Sequence, residues 1–342
     1  MTLQVRAVNL DREHDELLGV LERNLPELSH ARRFKWLYRE GHLGPAWSWL
    51  LCDSGSREPV GLASLFRRAI WRGGKVEMCG QVGDFAIDPS HRSLGPAVML
   101  QRATLRPVDA GQLALCYDCP PNARGMSTFR RLKMEASATM TRQVRLLKTN
   151  RHLTRYLGKG PVTAGVAGLG NAALRLLSWR RCRDRDLEIA LHPGRFDEEF
   201  TVLDRRVGGD DALRGRRAAG DLNWRYRDDP LHEYQVLTAR RAGELAGFTV
   251  IAASHQDSAV VDLFGALSSA ETADLLDAAA QLGRAAGLES VSTLISADHP
   301  LTAPLRSAGF RPRESGPWVV AYAGAGRECG SAWRLTYSDV MA

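Results

Sequence analysis

Hydrophobic and polar positions along the chain change period several times, and each change marks an element. Residues 15–28 show apolar positions at helical spacing and read as a helix. Residues 47–52 and 60–66 read as strands, and 75–87 as a long strand of alternating small and apolar residues. Asp88-Pro89-Ser90 breaks that strand. A helix is predicted over 95–105, ended by Pro107, then a strand over 113–117 and a short basic helix over 124–132.

A second block starts near Phe196. Residues 234–239 and 245–253 read as the arms of a hairpin, and 259–266 as another strand. An alanine-rich helix over 271–286 ends at Gly287, a strand follows over 290–295, and a helix over 300–308 stops at Gly309. Residues 318–322 and 332–337 read as strands closing the sheet. This order repeats that of the first block from residue 75 onward, which predicts an internal duplication of an α/β mixed-sheet fold.

Residues 141–185 stand apart. Arg142, Arg145, Lys148, Arg151, Arg155 and Lys159 recur every three or four residues, which predicts one basic face of a helix. The expected organisation is an N-terminal domain over 1–140, a basic helical linker over 141–195 and a C-terminal domain over 196–342. The longest apolar stretch, 162–179, is broken by Gly165, Gly168 and Gly170 and contains Arg175. A membrane span needs about 20 mostly apolar residues, so this stretch reads as a helix or linker without a transmembrane role. Contact with a membrane surface through 142–185 is the sharper alternative.

Composition adds little constraint on fold. Of 342 residues 44% are hydrophobic and 25% charged, the proportions of a chain with real cores. The net charge of +7 suits an anionic partner such as a coenzyme phosphate, without choosing among such partners. Six cysteines and no apolar run behind a basic start are read as a reducing, cytoplasmic context. Cys116 and Cys119 form a C-x-x-C pair with no second pair or His pair spaced for zinc, so no metal site is expected. The basic residues lack interleaved aromatics, and no nucleic-acid partner is expected.

The chemistry concentrates between Val82 and Ala97. A strand runs through a turn into Arg92-x-x-Gly95-x-Ala97 and then a helix. Backbone N–H groups at a helix start favour a diphosphate in front of them. Gly95 and Ala97 keep side chains clear, Pro96 suits a first turn that needs no N–H there, and Arg92 adds charge-assisted contacts. Phosphate-binding residues are therefore expected at Arg92, Ser93, Leu94, Gly95, Pro96 and Ala97.

This segment resembles the pyrophosphate loop of the GCN5-related N-acetyltransferases, whose pattern is Arg or Gln, two residues, Gly, one residue, Gly or Ala. The family's next motif is Asn, six residues, Tyr, three residues, Gly-Phe, and Asn122, Phe129, Lys133 and Met134 fall on its positions. Phe129 stands where many members place the tyrosine acid, and Lys133 replaces the glycine. In the second block Leu305-Arg-Ser-Ala-Gly309-Phe310 matches the closing motif, but no Arg-x-x-Gly-x-Gly precedes it, so that block is not expected to hold coenzyme A in the usual way. Residues 223–234 and 333–339 resemble tandem acetyltransferase-like proteins encoded with bacterial polysaccharide biosynthesis.

The resemblance implies two tandem acyl-coenzyme A N-acyltransferase folds. It implies acetyl transfer from acetyl-coenzyme A, or another acyl-coenzyme A, to a primary amine of an amino sugar or small metabolite. Aminoacyl or long-chain acyl transfer onto a cell-wall or lipid precursor is an alternative, as is a non-catalytic binding protein; a homodimer is also compatible. It further implies that Phe85, Ala86 and Ile87 bind the pantetheine arm, with Asn122 and Phe129 at the far wall, and an N–H near Ile87 as oxyanion donor. Asp84 is the first candidate base, with Gln81 and Glu77 on the same strand and Tyr117 or Cys116 as candidate acid. Strand alternation places Glu77 and Gln81 on one face and Asp84 on the other unless a bulge intervenes. His91 borders the loop and reads as a phosphate or solvent contact. Arg217, Trp224, Arg225 and Tyr226 read either as a stacking surface for a sugar or nucleotide or as an amphipathic helix with its aromatics in the core.

Overall fold

The computed structural model describes residues 2–148, 186–208, 212–253, 256–327, 329–330 and 332–340. Its first strands are β1 (Leu3–Ala7), β2 (Trp47–Asp53), β3 (Pro59–Arg72), β4 (Lys75–Ile87), β5 (Leu115–Asp118) and β6 (Ala138–Leu146). The second set is β7 (Leu187–Leu191), β8 (Arg214–Gly215), β9 (Tyr234–Arg241), β10 (Glu244–Ala253), β11 (Asp257–Gly265), β12 (Ser290–Ser296) and β13 (Arg311–Tyr322). The helices are α1 (His14–Asn24), α2 (Ala31–Phe34), α3 (Leu94–Asp109), α4 (Ala123–Arg131), α5 (Glu198–Val207), α6 (Ala219–Tyr226), α7 (Ser269–Ala285), α8 (Thr302–Ser307) and α9 (Tyr337–Val340).

One continuous sheet runs in the order β1-β2-β3-β4-β5-β13-β6-β12-β11-β10-β9-β7, with β8 on β3. The order is symmetric about the β13–β6 pair. Apart from β8, each strand of the first half has its counterpart in the second. The sixth strand of each half crosses over: β6 pairs with β12, and β13 pairs with β5. The halves are therefore joined by exchanged backbone hydrogen bonds and not by side-chain contacts alone. In each half one short parallel ladder, β4–β5 or β11–β12, sits among antiparallel neighbours.

The apolar alternation explains the layers. Leu65, Val82 and Ile87 turn toward α3, where they meet Leu100, Ala103 and Val108. Leu62, Phe66 and Ala86 turn the other way, onto Leu17, Val20 and Leu21 of α1. In the second half Val260 and Val291 pack on Leu275, Leu276 and Ala279 of α7.

Several elements differ from the sequence reading. Arg142 and Arg145 lie on strand β6, so the helical linker does not begin at 141. On the strand the two arginines fall on opposite faces, and Met140 and Val144 of the same strand are buried. Lys148, just beyond β6, donates to the Gly287 carbonyl at 2.6 Å, whereas residues 149–185, with Arg151, Arg155, Lys159 and the apolar stretch, lie outside the described residues. Residues 187–191, assigned to the linker, form β7. Pro107 does not end α3, which runs to Asp109. A proline near the last turn removes only one intrahelical bond, and the buried Leu105, Pro107 and Val108 hold that turn down. Residues 332–337 make only isolated bridges, Trp333 to Leu213 and Thr336 to Ile295, before α9. No helix among the described residues is long and apolar enough to cross a membrane.

Candidate active site

The β4–β5 ladder is short. It pairs Cys79 with Leu115, Gly80 with Cys116 and Gln81 with Tyr117, and then the strands part. β4 continues to Ile87, leaving its edge toward β5 unpaired over the last residues. A bulge accompanies the parting: Gly83 pairs with Ser64 and Ala86 with Leu62, so Asp84 and Phe85 together oppose Ala63. Asp84 takes φ 47°, the left-handed region that an L residue adopts only under local constraint.

A cavity of about 570 Å³ fills the opening, within the range of small-molecule sites. Phe85, Ala86 and Ile87 of β4, Arg92, Ser93, Leu94 and Ala97 at the start of α3, and Asn122 and Phe129 at α4 all line it. Nine of the eleven expected coenzyme-binding residues thus meet around one cavity; Gly95 and Pro96 are in the same turn without lining it.

The first turn of α3 is built to receive a ligand. Ser93 is the N-cap in an extended conformation and makes no side-chain cap bond. Among the described residues the Leu94 and Gly95 amides have no acceptor, so two of the orphan donors of a helix start are free. A Cβ added at Gly95 would meet nothing within 4 Å. Arg92 donates from Nε to the Ile87 carbonyl at 3.1 Å and from Nη2 to Asn24 Oδ1 at 3.3 Å. These bonds tether the guanidinium without neutralising it.

The equivalent place in the second half is closed off. Ser268 accepts from the Glu271 amide at 3.2 Å, and the Glu271 carboxylate accepts from the Ser268 amide at 2.7 Å. This capping box engages the Ser268 and Glu271 amides and puts a carboxylate, paired with Arg241, at the start of the helix. The cavity there, beside Phe264, Ser269 and His299, is only about 240 Å³.

The expected catalytic side chains fall elsewhere. The bulge turns Asp84 onto the same face as Gln81, away from the cavity lining. Its carboxylate accepts from Arg33 at 2.7 and 2.9 Å and from the Tyr38 hydroxyl at 2.6 Å. A fully engaged carboxylate is a poor base, and the second half shows what the arrangement does. Asp262, beside a bulge at Val261, accepts from Arg217 and from the Tyr226 hydroxyl in the same way. A triad repeated in the half with a capped helix pins the bulged strand in each case. Gln81 accepts from Arg68 Nε at 3.0 Å, and Tyr117 donates to the Asp339 carbonyl at 2.8 Å. Burial pushes the hydroxyl of Tyr117 and the thiol of Cys116 well above their ordinary ranges, so neither yields a proton readily. Glu77 pairs with Arg72 at 2.9 Å, and His91 Nδ1 bonds Ser90 Oγ at 2.9 Å. Trp224 and Tyr226 are buried on α6, so they belong to the core and not to a stacking surface.

Asp118 is the titratable carboxyl that does line the cavity. It is the last residue of β5, and burial raises it from 3.8 to about 7, against the Cys119 N–H, which lowers it. Alternation along β5 carried the signal: Tyr117 faces Leu115 and Cys79 at the centre of the sheet, so Cys116 and Asp118 face the other way. Phe129, at the tyrosine position, brings only a ring. Among the described residues no cluster of metal-ligating side chains occurs, and Cys116 and Cys119 are free thiols packed in different clusters.

No family model matches the chain, and no curated protein matches it in sequence. Solved structures match it closely in shape. It is similar to a conserved protein of Enterococcus faecalis V583 described as a probable N-acyltransferase, at TM-score 0.65 and 12% identity, covering 94% of this chain and 72% of that one. A GCN5-related N-acetyltransferase from Anabaena variabilis gives TM-score 0.65 and 12% identity over 93% and 72% of the two chains. N-myristoyltransferase of Saccharomyces cerevisiae, solved with bound myristoyl-CoA and inhibitors, gives TM-score 0.61 and 12% identity over 94% and 80%. At these identities the likeness is one of fold. The chain has the fold of the GCN5-related N-acetyltransferases, in a tandem form that spans both halves.

Proposed function

We propose that the protein is an acyl-coenzyme A-dependent N-acyltransferase whose donor site is in the first half. The observation that carries this reading is the uncapped first turn of α3 opening on the gap between β4 and β5. A coenzyme thioester, when bound, supplies the acyl group and a thiolate leaving group. The amides of Leu94 and Gly95, with Arg92, hold its pyrophosphate. The unpaired edge of β4 at 85–87 offers backbone groups to the pantetheine arm and a donor toward the thioester oxygen.

Asp118 is the proton-transfer group. At its shifted value of about 7 it is half ionised near neutral pH, which suits a group that both accepts and returns a proton. Its carboxylate takes the proton that the attacking amine loses, and its acid form delivers one to the departing sulfur. A cavity of about 570 Å³ that must also hold the arm favours a short acyl group such as acetyl. A primary amine of a small metabolite is the acceptor class.

Thermal melts with coenzyme A, acetyl-coenzyme A and longer acyl-coenzymes test the reading, since a ligand of the folded state raises the melting temperature. The expected result is a rise with acetyl-coenzyme A that Gly95→Glu abolishes. No rise with any thioester would refute the donor site.

A further inference from the structure

The face of the sheet opposite α3 holds a charge that the donor site does not use. Arg68 stands on β3, two residues beyond Phe66, which packs toward α1. The other arginines around it have carboxylates. Arg33 pairs with Asp84 at 2.7 Å, Arg216 with Asp221 at 2.6 Å, Arg217 with Asp262 and Asp339 at 3.1 and 2.6 Å, and Arg225 lies 3.8 Å from Asp339. Arg68 is only 8% exposed, yet among the described residues it has no carboxylate in ion-pair range. Its guanidinium donates from Nε to Gln81 Oε1 at 3.0 Å and from Nη1 to the Arg67 carbonyl at 3.2 Å, and lies 4.8 Å from the centre of the Trp224 ring. Burial, with Arg225 nearby, pulls it down to about 10.

The rings of Trp224 and Phe66, the latter 6.0 Å away, and the attraction of Asp221 beyond ion-pair range return less than the burial of a charge without a paired carboxylate costs. Something else must supply the difference. The position says what. Gln81, which holds Arg68, pairs with Tyr117 on the last rung before β4 and β5 part. Arg68 itself lies opposite Cys79, so it is tied through Gln81 to the rung next to the opening, on the face that α3 does not cover. With the donor on the α3 side, an acceptor amine reaches the opening from this one.

We propose that Arg68 is a specificity residue of the acceptor site, where it binds an anionic group, carboxylate or phosphate, carried by the amine that receives the acyl group. The inference rests on the acyltransferase reading and adds the class of acceptor: an acidic amine in place of a neutral amino sugar.

The test uses thermal melts in excess coenzyme A with matched amines: glycine and glycinamide, β-alanine and its amide, phosphoethanolamine and ethanolamine. At least one acidic member should raise the melting temperature of the wild type by about 3 °C at saturation, and its neutral partner should not. The rise should vanish in Arg68→Met and persist, weakened, in Arg68→Lys, which keeps the charge but not the planar fork. Whether carboxylates or the phosphate give the larger rise identifies the group. Equal effects of acidic and neutral partners, a rise that survives in Arg68→Met, or no rise with any acidic amine would each overturn the inference. Coenzyme A alone is measured in parallel. A coenzyme shift without an acidic-amine shift sinks this inference and leaves the donor site standing, whereas no coenzyme shift sinks the donor site itself.

Discussion

Replacing Asp118 by asparagine should damage activity and improve stability, and the two effects share one cause. Burial holds Asp118 at about 7 where an ordinary aspartate titrates at 3.8. A displacement of that size corresponds to roughly 4 kcal/mol of disfavoured charge. The side chain reaches the cavity, so water screens part of this, and about 2 kcal/mol is the working figure. The sign follows from proton counting. Between roughly pH 4 and 7 the folded protein keeps a proton that the unfolded chain releases, so this group's contribution to stability falls as pH rises through that window and is flat above it. The asparagine side chain never ionises. The Asp118→Asn variant should match the wild type near pH 4, gain on it up to pH 7, and stay ahead by about 2 kcal/mol at pH 8. For a chain of 342 residues that is about 3 °C in melting temperature. Turnover should fall by roughly 10²–10⁴-fold, and the rise of kcat/KM with pH, centred near 7 in the wild type, should disappear. Melting curves from pH 4 to 8 and thiol-release assays over the same range provide both readouts. A melting difference that does not change with pH, or turnover within threefold of wild type, would refute the role given to Asp118.

Three further outcomes are expected. Gly95→Glu should abolish coenzyme binding in calorimetry while the melting temperature changes little, because an added Cβ meets no protein atom within 4 Å and the carboxylate brings negative charge to the turn proposed to hold a pyrophosphate; retained affinity would remove the loop from the site. Asp84→Asn should lower stability by about 3 kcal/mol, since it leaves the buried Arg33 facing a neutral amide, yet coenzyme affinity of the folded fraction should persist; an unchanged melt with lost turnover would return Asp84 to the chemistry. Lys133→Gly should raise stability by about 1 kcal/mol, because Lys133 holds φ 59° after α4, a left-handed conformation that costs an L residue about that much; a lower melting temperature would show that the lysine side chain makes a contact worth more than the strain.

The closing turn of each half shows how a motif can be legible without its usual residue. The Met134 amide bonds the Phe129 carbonyl at 3.0 Å, and the Phe310 amide bonds the Leu305 carbonyl at 2.9 Å. The left-handed residue between them is Lys133 in one half and Gly309, at φ 85°, in the other. The spacing alone revealed the shared turn, because helix geometry dictates which amide meets which carbonyl.

Local physics determined what the sequence alone could show: the alternation of β4, the stop at Asp88-Pro89, and a helix opening near Gly95, one residue after its start in the structure. These depend on neighbours within a few residues. The tertiary structure decided the rest. Strand β6 resembled a basic helix because arginines three apart share a helix face; pairing with β12 and β13 makes it a strand, on which they point to opposite faces, Arg142 to Glu314 and Arg145 to Asp277. Asp84 looked like a base in an apolar strand, and Asp118, just past the strand expected over 113–117, drew no reading. Their surroundings differ because a bulge turned Asp84 onto Arg33 and Tyr38, while the parting of β4 from β5 left Asp118 beside a cavity. A carboxylate's function depends on which charges and how much water surround it, and those partners lie 46 and 51 residues away along the chain, beyond the reach of any local pattern.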